Sequence, residues 1–294
     1  MSLLDYQLYA TLPQPFWAIF IFLGAALGSF FNVLAIRWPA WQIAKNNRET
    51  TQWVQLIKGK VSGLDITAPL PLLAGRSQCP CCKKKIPMGR NIPLLSWLML
   101  GGKSACCKKP ISPVYLLMEA SGAMVFAVAA FTVGPTVYGL IIAVLVMLMF
   151  LMARIDAIDG FVPDALLFVS FILAYTLTLT DHWVTTQEAF VAHCGMFFGL
   201  YCVFQGIGWL TKTENLGMAD YHLFSLSAVL LGPQVVWVLA LFIPCLIVTQ
   251  LCKSISGWQP GVFAQLVGAK AIPAGPAIVA STVLVMAGRY SGFI

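Results

Sequence analysis

The chain has little charge, and least of all acid: 11 Asp and Glu among 294 residues, against 18 Lys and Arg and 3 His. Charged residues make up 10% and hydrophobic residues 59%, which excludes an ordinary soluble domain, whose composition includes about a quarter charged residues. A removable leader is also missing from view. "MSLLDYQLYATLPQP" has no basic n-region, and the apolar run from Phe16 to Ile36 has no obvious small-residue cleavage site, so a retained helix is expected there. There is no glycine-rich nucleotide loop after a strand, which leaves dinucleotide and P-loop chemistry without a motif.

What is present is a series of long apolar runs. Beyond the first, they fall near 114–133, 136–153, 164–180, 189–210, 221–232, 234–251 and 273–289. A span needs about 20 residues to cross the hydrocarbon, and Gly232 and Pro233 divide the short 221–232 run from the next. The expected fold class is therefore an all-α polytopic membrane protein of about eight transmembrane helices, with a cytoplasmic cysteine-containing domain after the first. Lys and Arg fix its orientation. Thirteen of the 18 basic residues lie between Arg37 and Pro110, with only Glu49 and Asp65 for acids, so this segment is expected in the cytoplasm. Eight spans then put Arg154, Lys212, Lys253 and Lys270 on the same side, leave the 181–188 loop "DHWVTTQE" outside without a basic residue, and make Arg289 the one exception. The domains expected are 1–36 (N-terminal segment and first helix), 37–112 (cytoplasmic cysteine domain) and 113–294 (membrane core).

Lys83, Lys84, Lys85, Arg90, Lys103, Lys108 and Lys109 cluster in the cytoplasmic segment. Facing anionic lipid explains them better than nucleic acid does, and no nucleic-acid partner is expected. The same segment carries "CPCC" (79–82) and "CC" (106–107), five of the nine cysteines. Two cysteine turns at this spacing suit a tetrahedral zinc site, and a reducing cytoplasm argues against disulfides. Cys79, Cys82 and Cys107 are the expected ligands. Position 104, where a second C-x-x-C would begin, is Ser104, so the fourth ligand is Cys106, Cys81, a non-cysteine group or nothing. Cys194, Cys202, Cys245 and Cys252 lie in apolar runs and suit small core positions.

The scarce acids are concentrated in "RIDAIDGFVPD" (154–164), directly after "AVLVMLMFLMA". Asp159 and Asp164 at a helix end suit either solvation or contacts with a basic substrate segment. Asp156 stands apart, because a second aspartate, Asp220 in "ENLGMADYHLFSLSAVLLG", shares its membrane face, beside the small residues Gly217 and Ala219. Two aspartates brought together from separate helices can share a proton, one acting as base on water and the other as acid toward a carbonyl. That is peptide-hydrolysis chemistry. A proton- or cation-coupled transporter is the alternative, although both acids lie at one face and not at the midplane and no inverted repeat is evident.

"GSFFNVLAIRWP" (28–39), the stretch from "CPCCKKKIPMGRNIPLLSW" to "LLMEASG" (79–122), "IDAIDGFVPD" (155–164), "GMADYHLFSLSAVLLG" (217–232) and "IPAGPAIVA" (272–280) together resemble the type IV prepilin peptidases, and the resemblance covers nearly the whole chain. It implies a GxGD-type aspartyl protease of the bacterial inner membrane, active on its cytoplasmic side. Such an enzyme removes the basic leader of prepilins or pseudopilins and then N-methylates the new amino terminus with S-adenosylmethionine as donor. The family's catalytic pair matches Asp156 and Asp220. This chain departs from the family pattern at Ala219, where the second glycine of G-x-G-D stands, at His222 in place of a lysine, and at Ser104 in place of a cysteine.

Overall fold

The computed structural model describes residues 14–58, 72, 77–79, 81–82, 84–180, 183–212, 217–256 and 273–292. Asp181, His182, Lys83 and Lys270, named above, lie outside the described residues, as does much of the 37–112 segment. The elements, in chain order, are α1 (Gln14–Lys58), a short α2 (Leu95–Met99), α3 (Pro113–Val133), α4 (Val137–Asp159), α5 (Asp164–Thr178), α6 (Thr186–Thr211), α7 (Met218–Leu231), α8 (Val236–Ser256) and α9 (Gly275–Tyr290). No strand occurs among the described residues, only two isolated bridges in the cysteine region. The chain is an all-α polytopic membrane protein, and a helix lies at the place of each apolar run.

Five stretches are long and apolar enough to cross a membrane: Phe16–Gln42, Pro113–Val133, Val137–Asp159, Thr186–Thr211 and Met218–Ser254. The last runs through α7 and α8 and the 3-10 turn Gly232–Val235 between them. At 15 and 16 residues, α5 and α9 are shorter. The first helix continues past Arg37 to Lys58, so the end of the first apolar run is not a break in the backbone.

Helix α4 is the centre of the bundle. An apolar helix with no polar stripe must be buried on all sides or face lipid, and α4 is buried along most of its length, from Gly139 to Asp159. Its Leu145, Met147, Met149, Leu151, Met152 and Ile155 are almost fully enclosed. Against it pack α1, α3, α5 and α9. By contrast, α6 buries only Ala189 and Met196 and presents Phe190, Phe198, Ile207 and Trp209 outward, as a lipid-facing helix does.

Small residues bring α1 and α3 together. A Cβ at Gly24, Gly28 or Gly122 would strike the backbone of the facing helix, the close approach that packs membrane helices where no hydrophobic force separates helix from lipid. Buried Glu119 locks this pair to the cysteine region: Ser29 Oγ donates to one carboxylate oxygen at 2.7 Å and the Leu94 N–H to the other at 2.7 Å. Leu94 has φ 61°, a sparsely populated conformation costing a residue with a side chain about 1–3 kcal/mol. The bond from its N–H to Glu119 helps hold it.

At the far end of the bundle, Arg289 donates to the carbonyls of Trp183 and of Leu231, the last residue of α7, and its guanidinium lies 5.8 Å from the Trp183 ring centre. A cation at a helix C-terminus satisfies orphan carbonyls. That role gives the one basic residue breaking the charge pattern a structural reason to be there.

Candidate active site

The C-terminus of α4, the N-termini of α7 and α9 and the C-terminal part of α8 converge at one end of the bundle. Helix α4 stops where it does because Gly160 takes a left-handed conformation, φ 71°, and donates its N–H to Asp156 O at 2.9 Å. That conformation favours glycine. Pro163 then leads into α5, with Asp164 in its first turn.

Asp156 lies one turn before this stop and is buried, 6% exposed. Its Oδ2 accepts the N–H of Gly275 at 2.8 Å. The carboxylate thus caps the first turn of α9, whose leading N–H groups have no partner within their own helix. Only a residue without a side chain fits there, since a Cβ at Gly275 would stand 2.7 Å from Asp156 Oδ2. Lys253, on α8, donates to Ala157 O at 3.4 Å and places its charge near Asp156.

Asp220 occupies the first turn of α7, where its Oδ2 accepts the N–H of Gly217 at 3.2 Å. The two carboxylates, from α4 and α7, are within electrostatic reach of each other. Asp159 is more deeply buried than Asp156, at 3% exposure, while Asp164 is exposed. Solvation therefore suits Asp164 and not Asp159. His222 points elsewhere: its ring packs against Phe197 at 4.9 Å and edge-on to Phe171, within reach of the Asp164 charge.

The cysteine region forms two matching turns. In the first, bridged at Gln78 and Lys85, Cys79 N donates to Lys84 O at 2.9 Å; in the second, bridged at Lys103 and Pro110, Ser104 N donates to Lys109 O at 2.8 Å. Cys82 corresponds to Cys107 and Cys79 to Ser104. The sulfur atoms of Cys79, Cys82, Cys106 and Cys107 all lie within 4.8 Å of one another. Cys79 and Cys107 are 3.7 Å apart, about the edge of a tetrahedron with ~2.3 Å zinc–sulfur bonds. Cys82 and Cys106 stand at 3.0 Å. Of the alternatives open for the fourth ligand, the structure brings in Cys106 and leaves Cys81 exposed and outside the cluster. Ser104 Oγ sits 3.3 Å from Cys79 Sγ and 3.0 Å from Cys106 Sγ.

The electrostatics of the cluster suit a cation. Hydrogen bonds from the Cys82 backbone and the Ser104 hydroxyl lower the Cys79 thiol to about 5, and the Lys109 backbone lowers Cys107. The neighbouring Cys106 side chain pushes Cys82 up to about 12. Such thiols cannot all ionise without a metal to hold them. The residues present fit a zinc ion.

Residues 22–133 match the family model described as the bacterial peptidase A24 N-terminal domain. A prepilin leader peptidase/N-methyltransferase of Klebsiella pneumoniae is 33% identical over 219 residues, 74% of this chain and 86% of that protein. The chain belongs to the prepilin leader peptidase/N-methyltransferase family. A member of the same name from Pseudomonas putida is 28% identical, covering 85% of this chain and 82% of its own. A type 4 prepilin-like proteins leader peptide-processing enzyme of Escherichia coli O78:H11 is 30% identical over 230 residues, 76% of this chain and 79% of that protein. No solved structure matches the chain. Nothing in these likenesses supports the transporter alternative.

Within this prepilin peptidase family the departure at Ala219 is accommodated. Residue 219 lies inside α7 and has no positive φ, so alanine costs no backbone strain there. Sequence reasoning missed two residues at the aspartate site. Gly275 lies in the quoted "IPAGPAIVA", but its N–H bond to a side chain 119 positions away has no local signature. Lys253 was visible only as one more basic residue at a membrane boundary.

Proposed function

We propose that the chain cleaves the basic leader of type IV prepilins or pseudopilins at the cytoplasmic face of the bacterial inner membrane, with Asp156 and Asp220 as the catalytic pair. The observation carrying this reading is the pair itself: two aspartates from separate helices at one end of the bundle, within electrostatic reach, each fixed by a backbone N–H. The pair holds one proton. The ionised carboxylate takes a proton from water as the oxygen attacks the scissile carbonyl, and the protonated one donates to the carbonyl oxygen. Collapse of the tetrahedral intermediate breaks the C–N bond, and the proton taken from water leaves on the new amine. A substrate with a basic leader before an apolar helix presents its cleavage site at this boundary, and the 13 basic residues between Arg37 and Pro110 support a cytoplasmic placement of the site.

The division of labour follows the expected domains: 1–36 for the N-terminal segment and first helix, 37–112 for the cytoplasmic region, where Cys79, Cys82, Cys106 and Cys107 would hold a structural zinc, and 113–294 for the protease core. In the second activity, methylation of the new amino terminus, S-adenosylmethionine would supply the methyl group.

The test is leader cleavage by purified protein in lipid nanodiscs. Asp156→Asn and Asp220→Asn should each nearly abolish it while leaving the protein inserted and folded, because an amide keeps the size and cannot trade the proton. Wild-type activity should fall at both acid and alkaline extremes, since the shared proton gives the pair two apparent pKa values. Full cleavage by either variant would remove the pair from the mechanism.

A further inference from the structure

Three polar side chains on α1, α3 and α4 take no part in the aspartate pair or the cysteine cluster. Asn32 is 1% exposed, yet neither its Oδ1 nor its Nδ2 has a hydrogen-bond partner. Arg154, half-buried on α4, has a buried Nε without a partner, and no acid forms an ion pair with it among the described residues. Tyr115, in the first turn of α3, lies within electrostatic reach of Arg154.

These groups belong to one neighbourhood. Helices α1 and α3 run antiparallel, with Gly24 against Gly122 and Gly28 against Met118 and Glu119. One turn further along, Asn32 is level with Tyr115. Arg154 is two residues before Asp156, about 200° around the helix at 3.6 residues per turn, so it faces away from the aspartate pair. Both α1 and α3 pack on α4. Tyr115 thus links the other two, level with Asn32 by helix register and within electrostatic reach of Arg154, in the part of the bundle where the Glu119 bond ties in Leu94.

Buried polar groups in folded proteins are nearly always partnered, and a buried cation calls for an anion. Here a guanidinium whose buried Nε has no partner, and which has no ion pair among the described residues, lies within electrostatic reach of Tyr115, level with a carboxamide whose donor and acceptor are both unused. That set complements a group carrying a carboxylate and an ammonium together. We propose that Asn32, Tyr115 and Arg154 bind an α-amino-acid head group, that of S-adenosylmethionine. Arg154 takes the carboxylate in a forked pair of hydrogen bonds, and Asn32 Oδ1 accepts from the ammonium while its Nδ2 donates to the carboxylate. The partial exposure of Arg154 leaves the way in. This inference rests on the methyltransferase reading above and gives it residues. The zwitterionic head of phosphatidylethanolamine carries similar chemistry, with phosphate for carboxylate.

The experiment measures binding of S-adenosylhomocysteine to the full-length protein by calorimetry, in nanodiscs of phosphatidylcholine and phosphatidylglycerol. A parallel titration uses 5′-methylthioadenosine, which lacks the amino-acid end. Arg154→Ala and Asn32→Leu should each weaken S-adenosylhomocysteine binding about ten- to a hundredfold, the cost of losing a hydrogen bond to a charged group. Arg154→Lys, which keeps the charge without the fork, should fall in between, and Tyr115→Phe should cost less. Binding of 5′-methylthioadenosine should be the same in all, which separates loss of the head-group site from misfolding. Wild-type protein that binds neither compound would overturn the methyltransferase reading together with this one. S-adenosylhomocysteine affinity unchanged in Arg154→Ala and Asn32→Leu would overturn only the site. Competition by phosphatidylethanolamine, added to the nanodiscs, would reassign the site to lipid.

Discussion

Two glycines touch the two aspartates, and the structure assigns them opposite tolerance. In Gly275→Ala the new Cβ would lie 2.7 Å from Asp156 Oδ2, 3.1 Å from its Cβ and 3.2 Å from its Cγ. Asp156 is buried at the centre of the convergence, so it cannot swing into solvent. To reach ordinary contact it must retreat by about 0.7 Å, and misplacement of a catalytic group by about 1 Å can cost on the order of a hundredfold in rate. The shift also stretches the 2.8 Å bond from the Gly275 N–H, worth about 1.5–3 kcal/mol to a charged acceptor. Either route predicts a loss of roughly ten- to a hundredfold, at 1.36 kcal/mol per tenfold. In Gly217→Ala the Cβ would sit 3.4 Å from Asp220 Oδ2, and Gly217 has φ −74°, so this variant should stay within about threefold of wild type, as a change without strain or clash does. The assay is leader cleavage with kcat and KM separated; the Gly275→Ala loss should fall on kcat, because the clash displaces the carboxylate we propose to react. Equal activity in the two variants would refute the reasoning, whichever way they agreed.

Elemental analysis after metal-sparing purification should find about one zinc per chain, lost in Cys79→Ser combined with Cys82→Ser and also in Cys106→Ser; Cys81→Ser should keep it, because Cys81 lies outside the cluster. A thiol introduced as Thr185→Cys, in a background without reactive native cysteines, should label from the side opposite the cysteine domain; labelling only from the cytoplasm would overturn the eight-span topology. Asp159→Ala should lower the melting temperature, at a cost of about 1–3 kcal/mol for disturbing a buried polar group. The exposed Asp164→Ala should stay within about 0.5 kcal/mol by the same measurement.

The membrane-spanning runs and the prepilin peptidase family were legible in the sequence, because each rests on local chemistry. Long apolar runs must lie in lipid whatever their neighbours. Lys and Arg resist translocation whatever the fold, and even the odd one, Arg289, needed only a carbonyl partner. The motifs around Asp156 and Asp220 are contiguous strings. The cysteine cluster was legible only up to the gap at Ser104, since spacing says which cysteines are close along the chain and not which sulfur a folded turn brings inward. Tertiary structure decided the rest by joining distant residues: Cys106 and not Cys81 with the other three sulfurs, the Gly275 N–H onto Asp156 across 119 positions, and Glu119 between α1 and Leu94. It also buried Asp159 and left Asp164 exposed, although the two are five residues apart, because α4 is enclosed up to its last turn and α5 begins at the rim. A helical sequence states which residues share a face. Only packing selects what that face meets, since each contact depends on where several other helices have come to rest.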